Sequence, residues 1–169
     1  TIIQRVSYPV LSSIQDDKDR MKQAYRRVIK VTMLVTFVFM LGLAAVAQPL
    51  ILVLIGEQWI IASYFLPIIC LQMFLYPLHA INLNMLQVQG RSDLFLRLEI
   101  IKKAIAVIPL LLGIFIDIYW MLWGSVFTGI FAFYLNSYYS GRFIGYSTAD
   151  QVKDILPSFG IAVIMAIIT

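Results

Sequence analysis

The sequence predicts an all-α, polytopic transmembrane helical bundle of about five spans. Of its 169 residues, 61% are hydrophobic and only 13% are charged, and the mean hydropathy is +0.87. A soluble domain of this size has too little interior to bury so much apolar side chain. Uncharged runs long enough to cross a bilayer also alternate with short polar turns. These two observations make lipid the expected solvent of the protein.

Residues 1–30 are predicted to hold the end of a preceding helix and then a cytoplasmic amphipathic segment. Asp16 or Asp17 is a candidate N-cap, and the segment is acidic early and basic late, which suits a helix dipole. Its apolar residues fall on one helical face: Met21, Ala24, Tyr25 and Val28. A solvated charged loop over 11–30 is the alternative.

The remaining residues, 31–169, are predicted to form the transmembrane helices. We place these at about 31–48, 62–89, 94–116, 118–140 and 155–169, the last one truncated. Gln48-Pro49 is predicted to end the first span, and Pro67 and Pro77 to kink the second. Because the sequence starts at Thr1 and stops inside an apolar run at Thr169, we expect an internal piece of a longer membrane protein.

The orientation is predicted from the basic residues. Seven of the 13 lie between Arg5 and Lys30, four between Arg91 and Lys103, and two are Arg142 and Lys153. The intervening turns, at 48–62 and 117–119, contain none. With one span between successive turns, all basic segments fall on one side of the membrane, which the positive-inside rule makes cytoplasmic. The basic balance is thus a sign of topology, and we expect no nucleic-acid partner.

Polar residues inside the second span predict a functional surface. At about 100° per residue, Gln72, Tyr76, His79 and Gln87 lie on one stripe of a helix, with Asn82 at its flank. Such a stripe faces protein or a water-filled cavity, because facing lipid is costly. The alternative is that these side chains only form interhelical hydrogen bonds.

Two lysines fall inside the third span. Its charge-free part, 104–116, covers only about 20 Å of a core about 30 Å thick, so Lys102 and Lys103 lie within the hydrocarbon zone. Glu99 precedes them by three and four residues and can form an ion pair with either. The functional interpretation is a basic lining at the inner mouth of a cavity for an anionic head group. The alternative is that both lysines snorkel to the interface.

The sequence offers no set of catalytic residues, so we expect no enzyme and no cofactor. It has one histidine, and neither a phosphate-binding loop nor a cluster with metal-ligand spacing is found in it. The single Cys70 excludes an internal disulfide, and its place in an apolar run indicates packing.

Several stretches resemble a known family. They are Tyr8–Asp17 with the basic segment after it, Gly42–Ile51, Leu54–Trp59 and Tyr76–Lys103. In order and spacing they are similar to the C-terminal half of Wzx-like polysaccharide and lipopolysaccharide O-antigen flippases. Those proteins are members of the multidrug/oligosaccharidyl-lipid/polysaccharide exporter superfamily.

The resemblance implies a two-lobe transporter of the bacterial inner membrane that works by alternating access. It implies that a polyprenyl-pyrophosphate-linked oligosaccharide moves from the cytoplasmic to the outer leaflet, through a cation-lined cavity. The implied partners are the lipid-linked oligosaccharide, membrane lipids and an N-terminal lobe of the same chain. Two other functions stay open: a drug or metabolite exporter of the same superfamily, and a non-transporting membrane scaffold of a polysaccharide assembly system.

Overall fold

The computed structural model describes residues 17–168, and the predictions for 1–16 lie outside them. Every regular element in that range is helical, so the all-α prediction is confirmed. In chain order the α-helices are α1 (Lys18–Ala45), α2 (Ala47–Leu54), α3 (Ile60–Met73), α4 (Tyr76–Val88), α5 (Ser92–Phe115), α6 (Ile118–Ile144) and α7 (Thr148–Ile168). A 3₁₀ turn at Glu57–Trp59 precedes α3.

Helix α1 joins the amphipathic segment to the first apolar run without a break. Asp17 is its N-cap, and the carboxylate accepts a hydrogen bond from the Arg20 backbone N–H at 3.0 Å. The cap prediction is confirmed, and the loop alternative is wrong for the described part of the segment. The side chains that α1 buries recur every four residues: Met21, Tyr25, Ile29, Met33 and Phe37.

The first helix ends earlier than the sequence predicts. It stops at Ala45, and Gln48-Pro49 lies in the first turn of the short helix α2. Proline is tolerated there because the N–H groups of a first turn have no intrahelical acceptor. The chain therefore turns at Val46, and α2 then packs against α3.

The predicted second span consists of two helices. Pro67 lies inside α3, but Pro77 lies in the first turn of α4, and the chain breaks between them at Phe74 and Leu75. The ring of Pro77 would clash with the carbonyl of Met73, which explains why α3 ends there. Phe74 and Leu75 keep right-handed helical dihedral angles, so α3 and α4 belong to one apolar segment that is interrupted before Pro77, as the sequence predicts.

Helix α4 lies at the centre of the bundle. It packs on α6, α1 and α5, and nearly every residue from Pro77 to Val88 is buried. Helix α1 packs most extensively on α7, and α5 on α6. The main apolar core accordingly joins α1, α4, α6 and α7. A helix that is enclosed on several sides has few exposed positions, so its polar side chains need protein partners.

Four helical segments of the described chain are long and apolar enough to cross a membrane: Asp19–Ala45, Glu57–Val88, Ile118–Ile144 and Thr148–Ile168. Helix α5 has 24 residues, long enough to cross, but carries Glu99, Lys102 and Lys103 in its middle. A short link joins α5 to α6, and the two pack antiparallel, with Gly124 beside Pro109 and Leu112. A fifth crossing by α5 stays a prediction.

Two glycines shape the corner between α6 and α7. Gly145 ends α6 in the left-handed region, with φ of 61°, where a Cβ is strained. A Cβ on Gly141 would lie 2.3 Å from the carbonyl oxygen of Tyr146. This close approach lets the chain reverse within a few residues and brings α7 back against α1.

Candidate functional site

A polar groove runs between the α3–α4 break and the α5–α6 pair. Two adjoining cavities of about 200 and 310 Å³ form it, and Tyr76, His79, Lys102 and Ala132 line both. The polar residues of the first cavity are Gln72, Tyr76, His79, Lys102, Ser125 and Thr128. We call this space the central groove.

Four of the residues predicted as cavity candidates, with the ion-pair candidate, meet in this groove. Gln72 and Tyr76 flank the break between α3 and α4, and His79 follows one turn later. Lys102 and Glu99 project from α5 on the opposite wall. The polar stripe continues across the break, because Phe74 and Leu75 keep right-handed helical dihedral angles and a single turn of helix separates Tyr76 from His79.

Lys102 forms an ion pair with Glu99, as their spacing predicts. The Lys102 side chain is 17% exposed and that of Glu99 31%, so both are largely removed from water. Lys103 lies at the next position of α5 and is exposed, lining neither cavity. Consecutive helical residues point about 100° apart, so in this structure only Lys102 of the two lines the groove, and a cavity role for Lys103 stays a prediction.

His79 connects the groove to a buried amide. Its Nδ1 lies 3.3 Å from Nδ2 of Asn136 on α6, and Asn136 is fully buried. When the Asn136 amide donates to Nδ1 of His79, the single proton of the neutral imidazole is on Nε2. The His79 ring can then offer an N–H donor to an anion in the groove. Asn136 was missed by the sequence analysis.

Asn82 and Gln87 do not join the groove. Asn82 is fully buried, and its Oδ1 accepts from Tyr25 at 2.7 Å and from Ser140. Its Nδ2 donates to Gln151 Oε1 at 3.1 Å. These four side chains tie α1, α4, α6 and α7 together, so the interhelical alternative holds for Asn82. Gln87 is half-buried and lines neither cavity.

Ser125 and Thr128 are groove residues that the sequence analysis also missed. Their spacing of three residues, with Ala132 four further on, marks one face of α6. Counting 100° per residue along α6, as was done for the polar stripe of α4, would have identified Ser125 and Thr128. Small side chains on this face leave the space that the groove occupies.

The basic segments lie together at one end of the bundle. Lys22 Nζ donates to the Gly145 carbonyl at 2.6 Å, which links the start of α1 to the α6–α7 corner. The Arg91 guanidinium lies 5.8 Å from the centre of the Phe143 ring, which links the α4–α5 turn to the end of α6. We call this the basic end, and the turns without Lys or Arg lie at the other end.

An acidic residue holds the basic end together. Asp154 of α7 pairs with Arg26 at 2.7 Å and with Lys30 at 3.0 Å, and it accepts from the Tyr146 hydroxyl at 2.6 Å. Burial, and then the hydrogen bond to Asp154, holds the pKa of Tyr146 above its usual range, so the hydroxyl stays a donor. No local sequence pattern predicts this cluster, since Arg26 and Lys30 lie far along the chain from Tyr146 and Asp154.

Within residues 17–168, no group of three or more histidine, cysteine, aspartate or glutamate side chains is placed to hold a metal ion. The described chain is thus a helical membrane protein with a groove of mixed polarity and one ion pair in its wall. The arrangement can bind and orient a polar, charged group between helices.

Comparisons with known proteins find similarity to proteins named for polysaccharide biosynthesis. Residues 1–64 match a family model described as "Polysaccharide biosynthesis protein". Over 114 residues, 65% of this chain, it is 30% identical to "Uncharacterized membrane protein in cps region" of Klebsiella pneumoniae. It is 27% identical over 93 residues, 55% of the chain, to "Teichuronic acid biosynthesis protein TuaB" of Bacillus subtilis. It is 23% identical over 112 residues, 66% of the chain, to "Lipopolysaccharide biosynthesis protein WzxC" of Escherichia coli.

These matches confirm the predicted resemblance to flippase-like proteins of polysaccharide and O-antigen synthesis. The aligned parts cover 22%, 19% and 23% of the three relatives, so the chain spans about a fifth of their length. No solved structure matches the chain.

Proposed function

We propose that this chain forms part of a transporter that flips a lipid-linked oligosaccharide across the bacterial inner membrane. The substrate class is a polyprenyl-pyrophosphate carrying a polysaccharide repeat unit. The similarity to proteins of polysaccharide biosynthesis supports the pathway, and the apolar helices support a substrate that travels within the membrane. The observation that carries the proposal is a largely buried lysine in the wall of a polar groove.

In this proposal Lys102 attracts the pyrophosphate. A charge in the partly dehydrated groove acts through a lower dielectric than bulk water, so its field on an anion is stronger than at the surface. Glu99 holds the ammonium group while the groove is empty. The phosphate competes with this carboxylate for Lys102, which makes binding reversible, as transport requires.

Neutral groups complete the binding surface. His79 presents its Nε2–H, and Gln72 and Tyr76 add an amide and a hydroxyl within the same cavity. These groups donate hydrogen bonds without adding charge. They can therefore orient phosphoryl or sugar oxygens while Lys102 supplies the electrostatic attraction.

The rest of the transporter lies outside this chain. The aligned segment covers only 22% and 23% of two of the matched relatives, and a facing lobe of helices would close the groove into a central cavity. Alternating access would then open that cavity to each leaflet in turn. We expect the basic end to face the cytoplasm by the positive-inside rule.

Two other functions make different demands on the same residues. A drug or metabolite exporter needs a carboxylate free to bind a cation, but Glu99 pairs with Lys102 and Asp154 with Arg26 and Lys30. A scaffold of the assembly machinery needs no charge in the groove. A lipid-linked anion as substrate accounts for Lys102 better than either.

The test compares adjacent lysines in the full-length gene product. Lys102→Gln removes the groove charge, while Lys103→Gln removes a charge that is exposed on the same helix. The measurement is surface polysaccharide in a strain that lacks its own flippase, normalised to the amount of membrane-inserted protein. We expect export to fall about tenfold for Lys102→Gln, equivalent to about 1.4 kcal/mol, and to stay within about twofold for Lys103→Gln.

Lys102→Arg keeps the charge and should restore part of the export. Normal export by Lys102→Gln at normal protein level would contradict the proposal. The scaffold would then be the better account.

A further inference from the structure

A second cavity lies apart from the central groove, in the corner between α6 and α7. It is a crevice of about 970 Å³, larger than either cavity of the groove. It exists because α6 packs on α4 and α5 while α7 packs on α1, so the two helices diverge from their connecting turn. We call it the corner crevice.

One wall of the crevice is aromatic and apolar. Tyr134 and Tyr138 project from successive turns of α6 with their rings stacked, 6.3 Å between centres and 25° between planes. They are 55% and 45% exposed, and Val152 on the α7 side is 41% exposed. Exposed tyrosines at the end of a membrane helix are typical of the lipid–water boundary. Such a wall suits a hydrocarbon chain near its head group.

The mouth of the crevice carries two cations. The Arg142 guanidinium lies 5.6 Å from the centre of the Tyr138 ring, and Lys153 follows on α7. Neither forms an ion pair among the described residues, whereas Arg26, Lys30, Arg91 and Lys102 each do. Arg142 therefore offers an unpaired positive charge to a ligand, and Lys153 adds a second cation near the Asp150 carboxylate.

The one carboxylate in the lining is already engaged. Asp150 Oδ2 accepts from the Ser147 hydroxyl at 2.7 Å and from the Ser147 backbone N–H at 3.2 Å, and Ser147 Oγ accepts in turn from the Asp150 N–H at 3.2 Å. This reciprocal pair caps α7. The crevice lining keeps one net positive charge. The Arg142 and Lys153 side chains can donate hydrogen bonds, so the lining favours an anionic ligand.

We propose that the corner crevice binds the phosphate head group of an anionic phospholipid. Arg142 and Lys153 hold the phosphate, and an acyl chain runs along the tyrosine wall. The position at the basic end puts the site at a membrane surface, where juxtamembrane Lys and Arg attract anionic lipids. A soluble phosphate would account for the two cations but leave the exposed tyrosines unexplained. The proposal does not depend on the substrate of transport.

The test measures lipid binding to the purified full-length protein in detergent by native mass spectrometry. The probes are phosphatidylglycerol, which is anionic, and phosphatidylcholine, which is zwitterionic, with identical acyl chains. We expect the first phosphatidylglycerol to bind about tenfold more tightly than the first phosphatidylcholine. Arg142→Gln with Lys153→Gln should abolish this preference, while the charge-preserving pair Arg142→Lys with Lys153→Arg should retain most of it.

A matched control removes the same charge elsewhere. Arg27 and Arg97 are exposed and lie outside the crevice, so the pair Arg27→Gln with Arg97→Gln should keep the preference within about twofold. All four positions are exposed, so the variants should fold, which circular dichroism checks. Competition by inorganic phosphate, at a concentration equal to that of the lipid, separates a lipid site from a phosphate site.

The proposal is overturned if the crevice variant binds phosphatidylglycerol as tightly as the unmodified chain. It is overturned equally if the control pair loses as much preference, since the attraction would then be spread over the whole basic end. Displacement of the lipid by an equal concentration of inorganic phosphate would show a site for free phosphate, without a role for the tyrosine wall.

Discussion

Arg26 and Asp154 lie 128 residues apart in the chain and form a bidentate ion pair. Arg26 Nε donates to Asp154 Oδ2 at 2.7 Å, and Arg26 Nη2 donates to Asp154 Oδ1 at 2.9 Å. The pair joins the first helix to the last helix of the described bundle. Lys30 reaches the same carboxylate at 3.0 Å, and Tyr146 donates to it. Because α1 and α7 also share the most extensive helix–helix contact, the Asp154 carboxylate lies at the interface between the first and last helices of the described bundle.

Replacing Asp154 by Asn should destabilise the bundle. The substitution removes the charge that two cations share, and a hydrogen bond to a charged group contributes about 2 kcal/mol. We expect a lower thermal unfolding midpoint of the purified protein in detergent. Asp19→Asn is the control, because Asp19 is an exposed acidic residue in the first turn of α1, and its loss should cost only about 0.5 kcal/mol. Equal midpoints for the two variants would show that the cluster adds no stability.

The corner between α6 and α7 should be sensitive to one methyl group. Gly141→Ala places a Cβ 2.3 Å from a backbone oxygen, and relieving that clash should cost about 2 kcal/mol or more of unfolding free energy. Gly129→Ala, on the same helix, meets nothing within 4 Å and should be neutral or slightly stabilising. Thermal unfolding followed by circular dichroism compares the two. A Gly141→Ala protein as stable as Gly129→Ala would contradict the packing at the corner.

The orientation can be tested with single cysteines in a background where the buried Cys70 is replaced by Ala. Ser92 lies at the basic end and Gln58 at the other end, and both are exposed. We expect an impermeant maleimide to label Gln58→Cys in intact spheroplasts. Ser92→Cys should be labelled only after the membrane is permeabilised. The reverse pattern would contradict a cytoplasmic basic end.

Much of the helical framework follows from local features of the sequence. The Asp17 cap, the uncharged runs and the glycine turn at Gly90, with φ of 68°, each depend on residues close together in the chain. Boundaries near prolines were less accurate. Whether Pro49 ends a helix or starts one depends on which backbone N–H groups have acceptors, and the packing of α2 on α3 decides that.

The site residues that share one helix could be predicted from the sequence. The contacts between different helices could be predicted less well. Helical spacing gave Gln72, Tyr76 and His79 together, and the Lys102–Glu99 pair. It did not show that Lys103 is exposed, since that depends on which face of α5 packs on α6. The Asn136 partner of His79 required the tertiary structure, because nothing local relates residues 57 positions apart.

The central claim is that Lys102 promotes the passage of a lipid-linked anion across the membrane. The most direct measurement reconstitutes the full-length protein in liposomes with a fluorescent polyprenyl-pyrophosphate oligosaccharide and follows, with an impermeant quencher, how fast the substrate changes leaflets. The proposal predicts that the unmodified protein flips the substrate faster than protein-free liposomes do. The flipping rate should be about tenfold lower for Lys102→Gln and within about twofold of the unmodified rate for Lys103→Gln. Flipping by Lys102→Gln at the normal rate, or none by the unmodified protein, would contradict it.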